Sequence, residues 1–327
     1  MRERIVAALA GLVCCWPLVS MGQAPAPGFP AKPVRMFVGF PPGGGVDTAA
    51  RLVATALNEH WGVPVIVENR PGGTGSVATE AVAKSPKDGY TAMLCQIASH
   101  AITPARNKLP YDHIRDFAFI GMIGVLPNVF AVHPSFPAKS LREFIAVARA
   151  NPGKINFGSA GVGASPHLSI ELFKLETRIN IVHVPYKGAG LAIPAVMGGE
   201  IESYVGNLVG GALAAIKSKR IRALGVTSIE RNKQAPDIPT FNEAGVPGFD
   251  VSSWYGICTP GPLPPAVHTK FTADLLQLLQ KSALRGKLEE QGIDITAGTP
   301  EQFVAHVRKE TERWTKVVKA AGLGPEQ

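Results

Sequence analysis

The chain has 327 residues, a formal net charge of +8 and 46% hydrophobic residues, with four cysteines. That length exceeds what one core usually holds, so two domains are expected. No dense Lys/Arg block with interleaved aromatics appears, which argues against a nucleic-acid partner, and four cysteines in so long a chain make no disulfide scaffold.

Arg2 and Arg4 precede an apolar run from Ile5 to Val19, and small residues follow it. This is the layout of a secretory signal peptide, assigned to residues 1–24, with Ser20-Met21-Gly22 or Gly22-Gln23-Ala24 at the cleavage site. The run is shorter than the roughly 20 residues of a membrane span, and Pro17 interrupts it. Cys14 and Cys15 would leave with the signal, and the net charge would fall to +7 with Arg2, Glu3 and Arg4. Cys95 and Cys258 remain, 163 positions apart. Two buried thiols are the expectation, with a disulfide after export as the alternative.

After a Pro/Ala/Gly linker, Val34 to Phe40 reads as a strand. Phe40-Pro41-Pro42-Gly43-Gly44-Gly45-Val46-Asp47 follows, and then a helical run from Thr48 to Trp61 with apolar positions 49, 52, 53, 56 and 57. Asp47 suits the N-cap of that helix. Three glycines let the backbone turn tightly and gather its N–H groups, and a helix N-terminus adds partial positive charge. Such a loop is an anion site that needs no basic side chain. It is neither a P-loop, since no lysine follows the glycines, nor a full dinucleotide fingerprint.

Val63 to Glu68 is the next strand, Asn69 to Ser76 a second Gly-rich turn, and Val77 to Lys84 a helix. Tyr90 to Cys95 is a third strand, so strand and helix alternate and parallel pairing is predicted. Two strands follow, Phe119–Ile123 and Asn128–Val132. Ser140 caps a helix over Leu141–Ala150, and Ile155–Gly158 is a strand. The loop Ser159-Ala160-Gly161-Val162-Gly163-Ala164-Ser165 leads into a helix with Pro166 at its first position. This repeats the first pattern of strand, Gly-rich loop, polar cap and helix. Two such loops on opposite sides of a cleft would hold an anion from both sides. Further strands are predicted at Ile181–Tyr186, Ile201–Val205, Arg222–Thr227 and Phe249–Cys258, with helices ending at Met197 and over Val267–Leu279 and Pro300–Ala321.

His167 is expected at a helix start, and His100 and His183 in the core or at its rim. No His-x-x-x-His, Cys-x-x-Cys or Gly-x-Ser-x-Gly pattern occurs, so neither a metal, a cofactor nor a hydrolase triad is expected.

Several segments together resemble one family. They are the Phe40–Asp47 loop, Val67-Glu68-Asn69-Arg70-Pro71-Gly72, Lys87-Asp88-Gly89-Tyr90-Thr91 and Leu109-Pro110-Tyr111-Asp112. Asn151–Lys154, Gly158–Gly163, Val184-Pro185-Tyr186-Lys187-Gly188, Glu243–Gly248, Ser253–Gly256 and Val317–Gly322 continue the pattern. The chain resembles the solute-binding proteins of tripartite tricarboxylate transporters, the Bug family. The resemblance implies an α/β fold of the type II periplasmic-binding class, two lobes of mostly parallel sheet flanked by helices. Residues 25–125 and 251–327 would form one lobe and 126–250 the other. It implies a monomeric periplasmic receptor without enzymatic activity or cofactor. Its partners would be a small organic carboxylate (a di- or tricarboxylate, acidic amino acid or aromatic acid) and the membrane permease subunits. The ligand residues it implies are Gly43, Gly44, Gly45, Val46 and Asp47 in the first lobe and Ser159, Ala160, Gly161, Gly163 and Ser165 in the second. Ser99 and Asn207 join them. This chain has Gly206 where many relatives carry an acid, and Cys95 and Gln96 where smaller residues are common, which leaves the particular acid open. The alternatives are a receptor feeding a sensor or shared permease, and an enzyme acting on a carboxylate in the same cleft.

Overall fold

The computed structural model describes residues 28–281, 283–320, 322 and 324. The signal-peptide segment lies outside them. In chain order the first half contains β1 (Val34–Val38), α1 (Gly45–Trp61), β2 (Val65–Asn69), α2 (Ser76–Ala83), β3 (Thr91–Gln96), α3 (Thr103–Arg106) and β4 (Phe117–Val132). Next come α4 (Leu141–Ala150), β5 (Asn156–Ser159), α5 (Ser165–Thr177), β6 (Val182–Pro185), α6 (Ala189–Met197), β7 (Ser203–Asn207), α7 (Gly210–Lys217) and β8 (Arg222–Val226). The chain closes with β9 (Ser252–Pro260), α8 (Pro265–Lys281), α9 (Ala283–Glu290), β10 (Asp294–Gly298) and α10 (Pro300–Ala320).

The strands run in the order β2-β1-β3-β9-β4-β7-β5-β6. The outer pairs β1–β2, β1–β3, β5–β6 and β5–β7 are parallel, as the strand–helix alternation predicts. The pairs made by β4 and β9 are antiparallel. These two strands carry the chain from one half to the other and back, so each runs against its neighbours. One continuous 16-residue strand replaces the two short ones expected. Its first part, through Pro127, pairs with β9, and Asn128 to Val132 pair with β7. Pro127 cannot donate to a ladder. It sits where the strand changes sheets, and its carbonyl accepts from Leu208 N at 2.9 Å.

Alternation on these strands builds cores on both sides. Val34, Met36 and Val38 pack with Ala49, Val53 and Leu57 of α1, while Val129, Tyr204 and Val226 pack with Ala192, Val196 and Ala212 of α6 and α7. A third cluster joins Phe119 and Phe130, near the two ends of β4, to Trp254 and Trp314. Helix α10 thereby returns the C-terminal segment to the half that holds β3 and β9.

Cys95 and Cys258 form a disulfide, with Cα atoms 6.0 Å apart. The expectation of two free thiols is overturned. Their separation along the chain hides that β3 and β9 are hydrogen-bonded neighbours, with Met93 opposite Cys258 and Cys95 opposite Gly256. His100 lies beside the bridge, its Nε2 3.4 Å from Cys258 Sγ, and burial pushes its pKa down to about 3. These three residues are the cluster with metal-ligand spacing among the described residues. The disulfide leaves it no thiolate to offer an ion.

Candidate ligand-binding site

The N-terminal ends of α1, α5, α6 and α7 converge on one cleft of about 330 Å³. Gly44, Gly45 and Val46 come from α1, Ala164, Ser165 and Pro166 from α5, Gly188 and Ala189 from α6, and Val209 and Gly211 from α7. None of the four helices has a side-chain cap. The first N–H groups of an α-helix have no partner inside it, so each end presents donors and partial positive charge. Lys187, exposed in the turn before α6, is the one charged side chain among the described residues lining the cleft, and no acid lines it.

Both expected caps are corrected. The N-cap of α1 is Gly44, and Asp47 is the third residue of the helix. Asp47 is buried and reaches back, accepting from Gly43 N at 3.0 Å, Arg51 Nε at 3.0 Å and Asn69 Nδ2 at 2.8 Å. Burial alone would raise its pKa. The Arg51, Gly43 and Asn69 donors outweigh that and hold the carboxyl below its ordinary value. Asp47 therefore braces the loop from beneath while the glycines face the cleft. The N-cap of α5 is Ala164, with Ser165 and Pro166 as its first two residues. In both loops a small residue at the cap lets the chain pass close to the cleft, and the polar residue moves inside the helix.

Gly45 shows how tight that passage is. A Cβ there would stand 2.1 Å from Val209 Cγ2 and 3.3 Å from the Tyr255 hydroxyl. The first loop thus touches the start of α7 from the other half of the chain. Thr74 Oγ1 also donates across, to Val162 O at 2.9 Å.

Of the residues expected from the sequence, Gly43, Gly44, Gly45, Val46, Ala160, Ser165 and Asn207 line the cleft together. Gly161 lines an adjoining recess with Ala160, Pro41 and Thr74. Asp47, Ser99, Ser159 and Gly163 stand behind the wall. Ser99 is buried in the turn after β3, with its hydroxyl on Gln96 O and His100 Nδ1. Ser159 Oγ accepts from Gly161 N and sits 2.7 Å from His183 Nε2. Gly163 N donates to His167 Nδ1 at 3.1 Å. The rings of His167 and His183 stack with centroids 4.0 Å apart. Burial, then the charges of His183, Arg106 and Lys174, push His167 down to about 3; burial and Lys174 push His183 down to about 4. Both rings are neutral at pH 7, and both hold the second loop.

The sequence reading missed the starts of α6 and α7, and it missed Tyr204 and Ser253; it named Gln96 only as a departure from the family pattern that bears on which acid is bound. Ser253 belongs to a floor network. Asn207 Nδ2 donates to Asn128 Oδ1 at 2.7 Å and to Ser253 Oγ at 2.8 Å, and Ser253 Oγ donates to Ser165 Oγ at 2.9 Å. The network ties β4, β7, β9 and α5 into one platform. Serine and asparagine at strand ends carry no motif, so only the strand order gathers them.

Residues 49–323 match the receptor of the tripartite tricarboxylate transporter family. The chain belongs to that family. The receptor is similar to three solved structures in particular. One is Rpa4515 of R. palustris with adipate, at 34% identity and a TM-score of 0.87, covering 91% of this chain and all of that one. Another is the periplasmic binding protein BugD, at 29% identity and a TM-score of 0.85, over 91% of this chain and all of that one. The third is MatC of Rhodopseudomonas palustris with bound malate, at 29% identity and a TM-score of 0.83, over 89% of this chain and all of that one. The receptor accordingly has the two-lobe α/β fold of periplasmic binding proteins, and its family consists of solute-binding receptors, not enzymes.

Proposed function

We propose that this chain is an extracytoplasmic receptor that captures a small organic carboxylate between its two lobes and delivers it, as a monomer, to the membrane permease of a tripartite tricarboxylate-type transporter. Four uncapped helix N-termini converging on one cleft without a lining acid carry this reading. Each end favours an anion by about 0.3–1 kcal/mol, more where partly buried. Oriented N–H groups satisfy carboxylate oxygens without an arginine. Gly43, Gly44, Gly45 and Val46 serve one side and Ala160 and Ser165 the other, with Asn207 beneath. The adipate and malate of the two ligand-bound relatives fit the same chemistry. Residues 1–24 would direct the chain out of the cytoplasm.

A thermal-shift panel of mono-, di- and tricarboxylates tests the reading. At least one acid should raise Tm, because a ligand at a hundredfold excess over its Kd stabilises the native state by about 2.7 kcal/mol. The acid should be recovered unchanged. If no member of the panel moved Tm, the carboxylate reading would fall.

A further inference from the structure

Two polar atoms at the cleft are buried with no hydrogen-bond partner: Gln96 Nε2 and the Tyr204 hydroxyl. Gln96 is 5% exposed and Tyr204 fully buried. An unpaired buried polar group costs about 1–3 kcal/mol, so two of them lining one cavity call for a partner that the protein does not supply. Neither is an accident of loose packing. Gln96 ends β3, and its Oε1 accepts from Ala98 N at 2.7 Å, which fixes the amide and leaves the NH₂ group as the free end. Tyr204 lies two residues before Gly206 on β7, on the same face of the strand. Its hydroxyl fills the space a side chain at Gly206 would need, since a Cβ there would be 1.8 Å from it. The glycine lets the phenol reach the cleft.

We infer that Gln96 and Tyr204 form a second polar subsite in this cleft, which reads a distal oxygen of the ligand and selects a dicarboxylate lacking an amino group. The inference rests on the carboxylate-receptor reading and deepens it. The free groups are donors: an amide NH₂, and a phenol that stays protonated because burial raises its pKa. Their complement is an acceptor, a carboxylate or carbonyl oxygen. An ammonium would find no carboxylate to compensate its charge, for no aspartate or glutamate lines the cleft among the described residues, and Asp47 behind it is already engaged by three donors. Val46, Leu191, Ile193 and Val209 also line the cleft and give it an apolar wall suited to methylene groups. One carboxylate at the helix N-termini and one at Gln96 and Tyr204 would give both unpaired side-chain groups a partner. A site with buried donors discriminates strongly against a ligand that leaves them unpaired.

Isothermal titration with matched acids provides the test. The set comprises linear dicarboxylates from succinate to suberate, the monocarboxylates of equal length, and aspartate, glutamate and 2-aminoadipate. The best dicarboxylate should bind at least about tenfold tighter than its monocarboxylate and its amino counterpart, the scale of one charge-assisted hydrogen bond. Tyr204→Phe keeps the ring and removes the hydroxyl, and it should shrink the dicarboxylate-to-monocarboxylate ratio severalfold. Gln96→Glu keeps the acceptor for Ala98 N and replaces the free donor by a carboxylate. It should shift preference toward the amino acids. The apo Tm of each variant reports folding separately. If some acid binds and both variants keep the wild-type ratios, the subsite is overturned and the receptor reading stands. If no carboxylate binds the wild type, both fall together.

Discussion

The loop from Phe40 to Asp47 is braced by charge, and the loop from Ser159 to Ser165 by two neutral rings. Both bring an uncapped helix N-terminus to the cleft, and both place their polar residue inside the helix rather than at its cap. Behind the first, Asp47 gathers Gly43 N, Arg51 and Asn69 around one carboxylate. Behind the second, His167 holds Gly163 N and His183 holds Ser159, ring against ring. The same exposed geometry therefore rests on supports of different chemistry. Beside this cleft a buried carboxylate is tolerated because Arg51 compensates it. On the other side, neutral imidazoles accept and donate without adding charge.

The sharpest way to separate the loops is through their glycines. A side chain at Gly45 runs into Val209, fixed at the start of α7, so Gly45→Val should force the two halves apart. We expect affinity for the best carboxylate to fall at least about a hundredfold, the equivalent of roughly 2.7 kcal/mol. Gly163→Ala meets the Arg106 guanidinium, the far end of a long side chain, at 2.2 Å and at φ +76°. That backbone strain costs stability on the order of 1 kcal/mol. Its effect on binding should be tenfold or less. Equal losses of affinity in the two variants would remove the distinction between a closure contact and a loop support.

Acid should distinguish the supports next. His167 and His183 titrate in the folded protein near 3 and 4, below the ordinary histidine value of 6.5. Above pH 6.5 both states are neutral and this stability is fully present. Below it the unfolded chain takes up protons that the folded rings refuse, and stability falls until the folded values are reached. For the buried His167 the slope is about 1.4 kcal/mol per pH unit. Asp47 has a lowered pKa, so its contribution is present above the unfolded value of 3.8 and is lost only as pH falls below that. Urea midpoints between pH 7.5 and 5 should therefore drop for the wild type and drop equally for Asp47→Asn. His167→Gln, which retains an acceptor for Gly163 N, should flatten the slope. A slope that His167→Gln left unaltered would locate the acid sensitivity elsewhere, for instance at His100.

These supports mark where the sequence stops being readable. Helix α4 was legible to its ends, because Ser140 caps it and Leu141, Phe144 and Ala148 form its buried stripe. The first glycine loop was legible as the turn into α1, since three glycines precede an apolar helical stripe, and that turn lines the cleft. Helix α7 was not: it opens on Gly210-Gly211, and no element was expected there. Strand β10 was missed because it owes its form to pairing with β4 rather than to alternation of its own. The expectation of free thiols failed for the same reason: the disulfide depends on strand order. Tyr204 reads as an ordinary core tyrosine until Gly206 beside it is seen to clear a path for its hydroxyl. Local chemistry reached the loops; what lies behind and beneath them is assembled from distant strands.

The mildest probe concerns a side-chain bond that joins a Gly-rich turn of the first half to the second loop itself. Thr74 Oγ1 donates to Val162 O at 2.9 Å, and Thr74 holds a left-handed backbone at φ +55°. A threonine in that conformation costs about 1 kcal/mol or more, so a compensating contact is expected where the strain is kept. Thr74→Val preserves the shape and the β-branch, leaving the backbone strain unchanged, and removes only the hydroxyl. One exposed hydrogen bond is worth about 1 kcal/mol, so Kd should rise roughly fivefold. The change should fall on dissociation rather than association, because the bond forms only once the loops have met. An unchanged dissociation rate would mean that the halves are held by the passage at Gly45 and Val209 and by the floor network, without this bond. The second loop would then depend for its place on His167 and His183 and owe nothing to the turn facing it.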